Sequence, residues 1–183
     1  KRSRPLIVAL HGGYSHGRDF LWTWLREARS RGYVIFAPTS MAMTWSITQA
    51  QIDAQQICRH LGEVVSRVNI DQSRILLTGM SDGGTYALKL ALSQNSNYQY
   101  VAPVACALAP VDLKQAEGKR IFWIHGAQDW IFPVSYAVGA GEKLKRAGAD
   151  IKMKVIRDLA HAYPREENKN ILDCFEKSAV QLS

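Results

Sequence analysis

The chain has 183 residues, of which 47% are hydrophobic and 21% charged, and a formal net charge of +7. This composition is ordinary for one globular domain, and it excludes a disordered chain, a collagen-like chain and a disulfide-rich miniprotein. No apolar run approaches the roughly 18–20 residues that cross a bilayer, so we expect no transmembrane segment. Beyond the first four residues the charges are scattered and follow no nucleic-acid recognition motif, so we expect no nucleic-acid partner.

Apolar runs and apolar stripes alternate along the chain. Short runs bounded by Gly, Pro or charge predict buried strands over 6–10, 33–37, 75–78, 101–108, 121–124 and 151–156. Apolar residues spaced by three and four predict helices over 20–28, 47–68, 87–91, 138–145 and 172–182. This alternation predicts one α/β domain over residues 1–183, with a mostly parallel sheet of about six strands and helices on both faces. Ligands of such sheets bind beyond the carboxyl ends of the strands.

The third predicted strand runs into residues 79–84, with the sequence GMSDGG, and a helix follows. Gly-x-Ser-x-Gly between a strand and a helix is typical of a strained turn that exposes the central serine. Glycines are needed on either side, because side chains there would collide with the neighbouring strand and helix. The helix N-terminus beneath the turn favours developing negative charge. We therefore expect Ser81 to be a nucleophile.

A serine hydroxyl needs an adjacent base, and five histidines are available. His60 lies inside a helical pattern and is interpreted as a surface or packing residue. His161 follows the last predicted strand in a loop, late in the chain, where the base of a Ser…Asp…His order belongs. We expect His161 to be the base.

The imidazole needs an acid that fixes its tautomer. Asp129 follows the fifth predicted strand and faces the same end of the sheet, so it is the preferred candidate. Asp112 follows the preceding strand and remains a competitor. Asp158 is close to His161 in sequence, which makes it too local to be favoured.

The first predicted strand ends in residues 10–17, with the sequence LHGGYSHG. Backbone N–H groups of such a turn can point at an oxyanion, and the N–H after the nucleophile is the second donor. We expect Gly13 and Asp82 to be these donors, with Tyr14 as the alternative to Gly13. A metal site at His11, His16 and Asp19 is the less favoured interpretation of this loop, and the spacing of a phosphate-binding P-loop is absent.

The three cysteines, Cys58, Cys106 and Cys174, are too few and too scattered for a disulfide framework. Two fall in helical patterns and Cys106 in a strand pattern, so we expect small buried side chains. The chain opens on Lys1 with neither an initiating methionine nor a signal peptide. We expect a soluble protein, in the cytoplasm rather than secreted.

These pieces together resemble the α/β hydrolases, and the small serine esterases among them in particular. The resemblance rests on four segments that stand in family order, LHGG at 10–13, GMSDGG at 79–84, HGAQDWIFP at 125–133 and His161. It covers nearly the whole chain and includes the carboxylesterase/lysophospholipase and dienelactone hydrolase-like groups. It implies a three-layer sandwich.

Two departures from that family pattern affect the expected shape. Members usually have one or two strands before the first strand seen here, and we expect this chain to lack them. The six strands would then lie in the order second, first, third, fourth, fifth, sixth. No long insertion is present that could form a large cap domain, which predicts an open or shallow site.

The resemblance implies ester hydrolysis with Ser81 as nucleophile, His161 as base and Asp129 as orienting acid, without metal or cofactor. The partner would be a small acyl-ester substrate. Aromatic residues near the active end could line an acyl or aryl pocket or stack on a sugar: Tyr14, Trp45, Trp130, Phe132 and Tyr163. Two alternatives stay open, an acyltransferase or thioesterase with the same triad and a non-catalytic binding protein on the same fold.

Overall fold

The fold is a parallel six-stranded sheet covered by helices on both faces. It was obtained as a computed structural model, which describes residues 3–180. The strands are β1 (Arg4–Leu10), β2 (Val34–Phe36), β3 (Ile70–Met80), β4 (Tyr100–Val104), β5 (Arg120–Gly126) and β6 (Asp150–Ile156). The helices are α1 (Gly17–Arg31), α2 (Gln51–Arg67), α3 (Asp82–Ala91), α4 (Val134–Arg146) and α5 (Asn168–Val180). Residues 1, 2 and 181–183, and with them Leu182 of the last predicted helix, lie outside the described residues.

The strands lie in the order β2-β1-β3-β4-β5-β6, and every neighbouring pair is parallel. This confirms the predicted α/β-hydrolase architecture and strand order. Alternate residues of β1 supply two cores: Leu6 and Val8 pack with α2, α3 and α4, whereas Ile7 and Ala9 pack with α1 and α5. The described residues include no large cap domain. Three layers therefore form because the central strands, such as β1, β4 and β5, are buried on both faces.

Several element boundaries differ from the predicted ones. β3 begins at Ile70, five residues earlier than predicted. β4 ends at Val104 because Ala105 has a φ of 46°, a left-handed conformation that a strand cannot continue, so Cys106 follows the strand. Residues 47–50 precede α2 and belong to the loop over 37–50 that connects β2 to α2.

The prediction of buried cysteines holds for Cys106 and is wrong for Cys58. α2 buries Asp53 and Ile57 on one face, and Cys58 is rotated about 100° away from Ile57 into solvent. Cys174 is half-buried, and burial raises the pKa of its thiol. None of the three cysteines forms a disulfide bond within the described residues.

The parallel arrangement brings four connecting segments to one edge of the sheet. Leu10 at the end of β1 is in register with Gly79 near the end of β3, and the β5 residue Gly126 is in register with Ile156 of β6. The segments that follow these strands therefore emerge side by side. They carry the candidate catalytic residues.

Candidate active site

Ser81 lies on a tight turn between β3 and α3. Its φ of 56° and ψ of −124° fall in a region that non-glycine residues rarely adopt. The turn is held by two backbone hydrogen bonds, from Ser81 N–H to the Val104 carbonyl at 2.9 Å and from Thr85 N–H to the Ser81 carbonyl at 2.9 Å. A Cβ atom at Gly79 would collide with the backbone of Gly83, so the turn closes only because residue 79 is glycine. The strained turn places the hydroxyl at the carboxyl edge of the sheet.

His161 lies in the loop after β6, between Ser81 and Asp129. Its Nε2 is 3.0 Å from Ser81 Oγ, and its Nδ1 is 2.9 Å from Asp129 Oδ2. An ionised carboxylate can only accept a hydrogen bond, so Nδ1 carries the proton and Nε2 is left to accept the serine hydroxyl. The imidazole is 12% exposed, and the Phe132 ring lies beside it with the ring centroids 5.6 Å apart.

Asp129 is buried in the loop after β5 and is fully engaged. Its Oδ1 accepts the N–H groups of Ile131 at 3.0 Å and Phe132 at 2.9 Å, which leaves Oδ2 to face His161. Burial by itself raises the pKa of this carboxyl. The hydrogen bonds from Phe132, His161 and Ile131 outweigh burial and lower the pKa below its ordinary value. Asp129 is therefore ionised at neutral pH.

The loops after β5 and β6 are bonded to each other through their backbones. Ala127 N–H donates to the Ile156 carbonyl at 2.8 Å, and Gln128 N–H donates to the Leu159 carbonyl at 3.0 Å. A Cβ at Gly126 would collide with the Leu159 carbonyl, so the loops approach as closely as they do because residue 126 is glycine. This contact fixes the distance between the acid and the imidazole.

The two competing acids lie elsewhere. The Asp112 carboxylate accepts the Lys114 N–H at 3.0 Å and caps a short 3₁₀ turn over Leu113–Ala116. Asp158 is exposed, and among the described residues no hydrogen bond joins it to His161. Of the three acids, the structure brings only Asp129 to His161 and Ser81.

His125 is a contact of the acid that sequence reasoning did not assign. It is fully buried at the end of β5; its Nε2–H donates to the Phe132 carbonyl at 2.7 Å and lies 3.4 Å from Asp129 Oδ2. Its Nδ1 has no hydrogen-bond partner among the described residues. The signal in the sequence was the His-Gly pair that directly follows a buried strand.

Two of the three candidate oxyanion donors have a backbone N–H group that is not bonded to another described residue. Neither Gly13 nor Asp82 donates its backbone N–H to another described residue, and both N–H groups are available. Gly13 approaches the turn closely, since a Cβ there would lie 2.6 Å from Asp82 Oδ2. The alternative donor Tyr14 is wrong, because its N–H donates to the Met43 carbonyl at 2.7 Å and its φ of 57° turns it away from a helical path.

Three of the five candidate pocket residues, Trp130, Phe132 and Tyr14, lie near the site. Trp130 follows the acid and is 78% exposed, and Phe132 is half-buried against His161. Tyr14, on the opposite side of Ser81, is 83% exposed. β1 and β5 are separated by β3 and β4, so about 14 Å of sheet edge lies between the Tyr14 and Trp130 segments.

The expectation for the other two pocket residues, Trp45 and Tyr163, is wrong. Trp45 is 2% exposed and stacks on Tyr86 with the ring centroids 5.2 Å apart. The Tyr163 hydroxyl donates to Asn168 Oδ1 at 2.6 Å, and its ring packs edge-on against Phe20. Both rings pack in the core beneath the loops. Their positions in the sequence do not reveal this, because the packing partners come from other segments.

Residues 3–180 contain neither a cluster of metal ligands nor a helix that could span a membrane. No group of three or more His, Cys, Asp or Glu side chains in that part of the chain is placed to hold a metal ion. His11 uses both ring nitrogens in contacts with the backbone, at Gly12 and Ser40. None of the described helices combines the length and the apolar character that a bilayer crossing requires.

Solved structures share this fold at low sequence identity. A carboxylesterase from Bacillus cereus superposes with a TM-score of 0.79 at 16% identity, over 96% of this chain and 89% of that one. SOBER1 from Arabidopsis thaliana superposes with a TM-score of 0.73 at 16% identity, over 96% of this chain and 99% of that one. These similarities establish the fold of the α/β hydrolases.

Sequence comparison gives the family. A bifunctional acetylxylan esterase/xylanase from Neocallimastix patriciarum is 29% identical over 177 residues, which cover 91% of this chain. This chain spans about a quarter of the length of that curated relative, 25%. The model of the phospholipase/carboxylesterase family matches residues 40–179. Because that match takes in most of the chain, the protein belongs to the phospholipase/carboxylesterase family.

Proposed function

We propose that the protein is a serine carboxylesterase in which Ser81, His161 and Asp129 form the catalytic triad. The observation that carries the proposal is a pair of hydrogen bonds in series, 3.0 Å from Ser81 Oγ to His161 Nε2 and 2.9 Å from His161 Nδ1 to Asp129 Oδ2. Such an arrangement activates a serine hydroxyl, because the base takes its proton and the acid stabilises the resulting imidazolium.

Acylation begins with attack of Ser81 Oγ on the ester carbonyl carbon, while His161 Nε2 takes the hydroxyl proton. The oxyanion accepts hydrogen bonds from the N–H groups of Gly13 and Asp82, and the N-terminus of α3 adds a favourable dipole. Collapse of the tetrahedral intermediate breaks the bond to the leaving alcohol, which takes the proton from His161. The acyl group is then covalently bound to Ser81.

Deacylation repeats these steps with water as the nucleophile. His161 takes a proton from the water, whose oxygen attacks the acyl carbonyl, and the proton then returns to Ser81 Oγ as the acid leaves. Each step uses only side chains and amides of this chain. No redox change occurs, so the reaction balances without a further reactant.

An acetylated polysaccharide is the substrate class that two observations favour. The relative from Neocallimastix patriciarum carries an acetylxylan esterase in its name. In this chain Tyr14 and Trp130, both largely exposed, flank Ser81 along the carboxyl edge of the sheet. Exposed aromatic faces at an open site can stack on sugar rings, and a short acyl group needs no deep pocket.

The test compares hydrolysis of p-nitrophenyl acetate, butyrate and octanoate by the wild-type chain, Ser81→Ala and the matched control Ser66→Ala. Ser66 is exposed near the end of α2, where its hydroxyl donates to the Glu63 carbonyl. It takes no part in the contacts among Ser81, His161 and Asp129. We expect turnover in the wild type and in Ser66→Ala and its loss in Ser81→Ala. Mass spectrometry of acid-quenched enzyme should find the acyl group on the peptide that contains Ser81.

The outcome also separates the alternatives. A folded wild-type chain that hydrolyses no ester and is not labelled at Ser81 contradicts the proposal and favours a binding protein. Turnover that yields mainly a new ester when an alcohol is added favours an acyltransferase, and a preference for thioesters over the matched oxygen esters favours a thioesterase. Acetate release from acetylated xylan tests the substrate class separately.

A further inference from the structure

Asp53 is a buried carboxylate outside the predicted catalytic motifs. It lies in the first turn of α2 and is 1% exposed. Its Oδ1 accepts the Met41 N–H at 2.8 Å and its Oδ2 accepts the Ser46 N–H at 2.7 Å. Among the described residues it forms no ion pair with a basic side chain. A buried charge without a counter-ion is costly, so these two charge-assisted hydrogen bonds account for how it is stabilised.

The two N–H groups come from the loop over 37–50, which we call the clasp loop. Each of the three residues between Ala42 and Ser46 contacts the catalytic edge. Met43 accepts the Tyr14 N–H at 2.7 Å, Thr44 Oγ1 donates to Asp82 Oδ2 at 2.5 Å, and Trp45 Nε1 donates to the His11 carbonyl at 2.8 Å.

A fourth contact comes from the start of the same segment. The Ser40 N–H donates to Nε2 of the buried His11 at 3.0 Å, and the His11 Nδ1–H then faces the Gly12 carbonyl at 2.6 Å. The clasp loop therefore contacts both segments that carry the proposed oxyanion donors. One is the loop around Gly13, and the other is the start of α3. All of these contacts are made by loop residues, because residues 37–50 contain no helix or strand.

We propose that Asp53 is a positioning residue that preorganises the oxyanion site through the clasp loop. The catalytic part of this inference rests on the proposed esterase function. Oxyanion donors stabilise a transition state only when they are held in place before the reaction. The clasp loop has little regular structure and exposes Met41 and Met43, so we expect the two bonds to Asp53 to contribute to its order.

The experiment compares the wild-type chain with Asp53→Asn, Thr44→Val and Ile57→Ala. An asparagine at position 53 keeps the shape but can accept at only one of its two terminal atoms, so one loop bond is lost. Thr44→Val removes the bond to Asp82 at a half-buried position and keeps the shape of the side chain. Ile57→Ala is the matched control, because it destabilises the same buried face of α2 one turn further along without removing a hydrogen bond to the clasp loop.

Three measurements are made at a temperature where all four proteins are folded. Amide hydrogen exchange is followed in peptides covering 11–16 and 38–48. The rate of Ser81 labelling by a fluorophosphonate is followed by intact mass, and kcat and KM are measured on p-nitrophenyl acetate over a range of pH.

For Asp53→Asn we expect faster exchange in both peptides and a loss in kcat and in labelling rate of about 10-fold to 100-fold, below the cost of deleting a donor outright. KM should change less than about threefold and the pH profile should keep its shape, because ground-state binding and His161 are untouched. Thr44→Val should lose about fivefold in kcat, by the same reasoning. Ile57→Ala should have a lower Tm with wild-type kcat.

An Asp53→Asn protein with wild-type exchange in both peptides, or with wild-type labelling and kcat, would overturn the inference. An equal loss of kcat in Ile57→Ala would also overturn it, because the effect would then be one of stability alone. A wild-type chain that is neither labelled nor active would instead overturn the proposed function. The exchange comparison still decides whether Asp53 orders the clasp loop in that case.

Discussion

Oδ2 of Asp129 lies 2.9 Å from Nδ1 of His161, and this contact joins the loop after β5 to the loop after β6. The same carboxylate keeps its other oxygen on the backbone of its own loop, at Ile131 and Phe132. One side chain thus orders its loop and orients the imidazole. Substitutions at this position should therefore affect both catalysis and stability.

Asp129→Asn should lower kcat by about 10³–10⁴ with little change in KM, because the amide no longer selects the imidazole tautomer that accepts the Ser81 proton. The matched control is Asp158→Asn, which alters an exposed acid in the same loop as His161. Its kcat should stay within about twofold of wild type, since no catalytic contact is lost. Initial rates on p-nitrophenyl acetate measure both. Comparable losses in the two variants would contradict the assignment of the acid.

The contribution of Asp129 to stability should depend on pH in a defined direction. Its pKa in the folded protein lies below the ordinary value of 3.8, so between the two values the unfolded chain binds more protons than the folded one. The stabilisation is therefore complete above about pH 5 and is lost as the pH falls through the folded pKa. The groups of Glu167 and Asp173 also have lowered pKa values, but they are common to wild type and Asp129→Asn and cancel in the difference.

Urea unfolding of wild type and Asp129→Asn across this range measures that difference. We expect the difference in unfolding free energy to be constant near neutral pH and to shrink steadily below about pH 4. A difference that does not change down to about pH 2.5, or that grows as the pH falls, would show that the carboxylate is not stabilised in its charged form.

Substitution of Trp45 should lower the unfolding free energy, whereas substitution of Trp130 should leave it almost unchanged. Both residues were predicted to lie near the active end of the sheet. Trp45→Phe removes the indole hydrogen bond to the His11 carbonyl from a buried site and should lower the unfolding free energy by about 1–2 kcal/mol. Trp130→Ala truncates an exposed side chain and should change it by less than about 0.5 kcal/mol. Urea unfolding distinguishes them. Trp130→Ala should in turn raise KM on acetylated xylan while leaving KM on p-nitrophenyl acetate unchanged.

Two glycines allow a matched test of the turn that carries Ser81. A Cβ at Gly83 would collide with the backbone carbonyls of Leu10 and His11, which cannot move without shifting β1, so Gly83→Ala should cost about 3 kcal/mol. A Cβ at Gly62 in α2 meets nothing within 4 Å, and Gly62→Ala should stabilise the protein by about 0.5–1 kcal/mol through helix propensity. Thermal unfolding of the two variants measures whether the first loses stability and the second gains it. A neutral Gly83→Ala would contradict the close approach of α3 to β1.

Periodicity predicted the architecture well because it reports on burial, which is a local property of each strand and helix. Runs such as that around Ile121 are apolar on both faces, and only a parallel sheet between two helical layers buries both. The strand order followed from the family resemblance rather than from periodicity. Strand ends were predicted less well: the left-handed Ala105 that ends β4 has no signal in composition.

The sequence by itself determined the turn that carries Ser81, because a strand, two flanking glycines and a helix are all neighbours of Ser81 along the chain. It also placed Asp129 and His161 after the correct strands. Only the tertiary structure decided which acid meets the imidazole, that the Tyr14 N–H is already bonded to Met43, that Trp45 belongs to the core, and that Asp53 holds the clasp loop. The bonds of Asp53 span only 7 and 12 residues, whereas the other contacts join segments more distant along the chain. No local pattern encodes those distant contacts, because the parallel sheet creates them by bringing the ends of β1, β3, β5 and β6 to one edge.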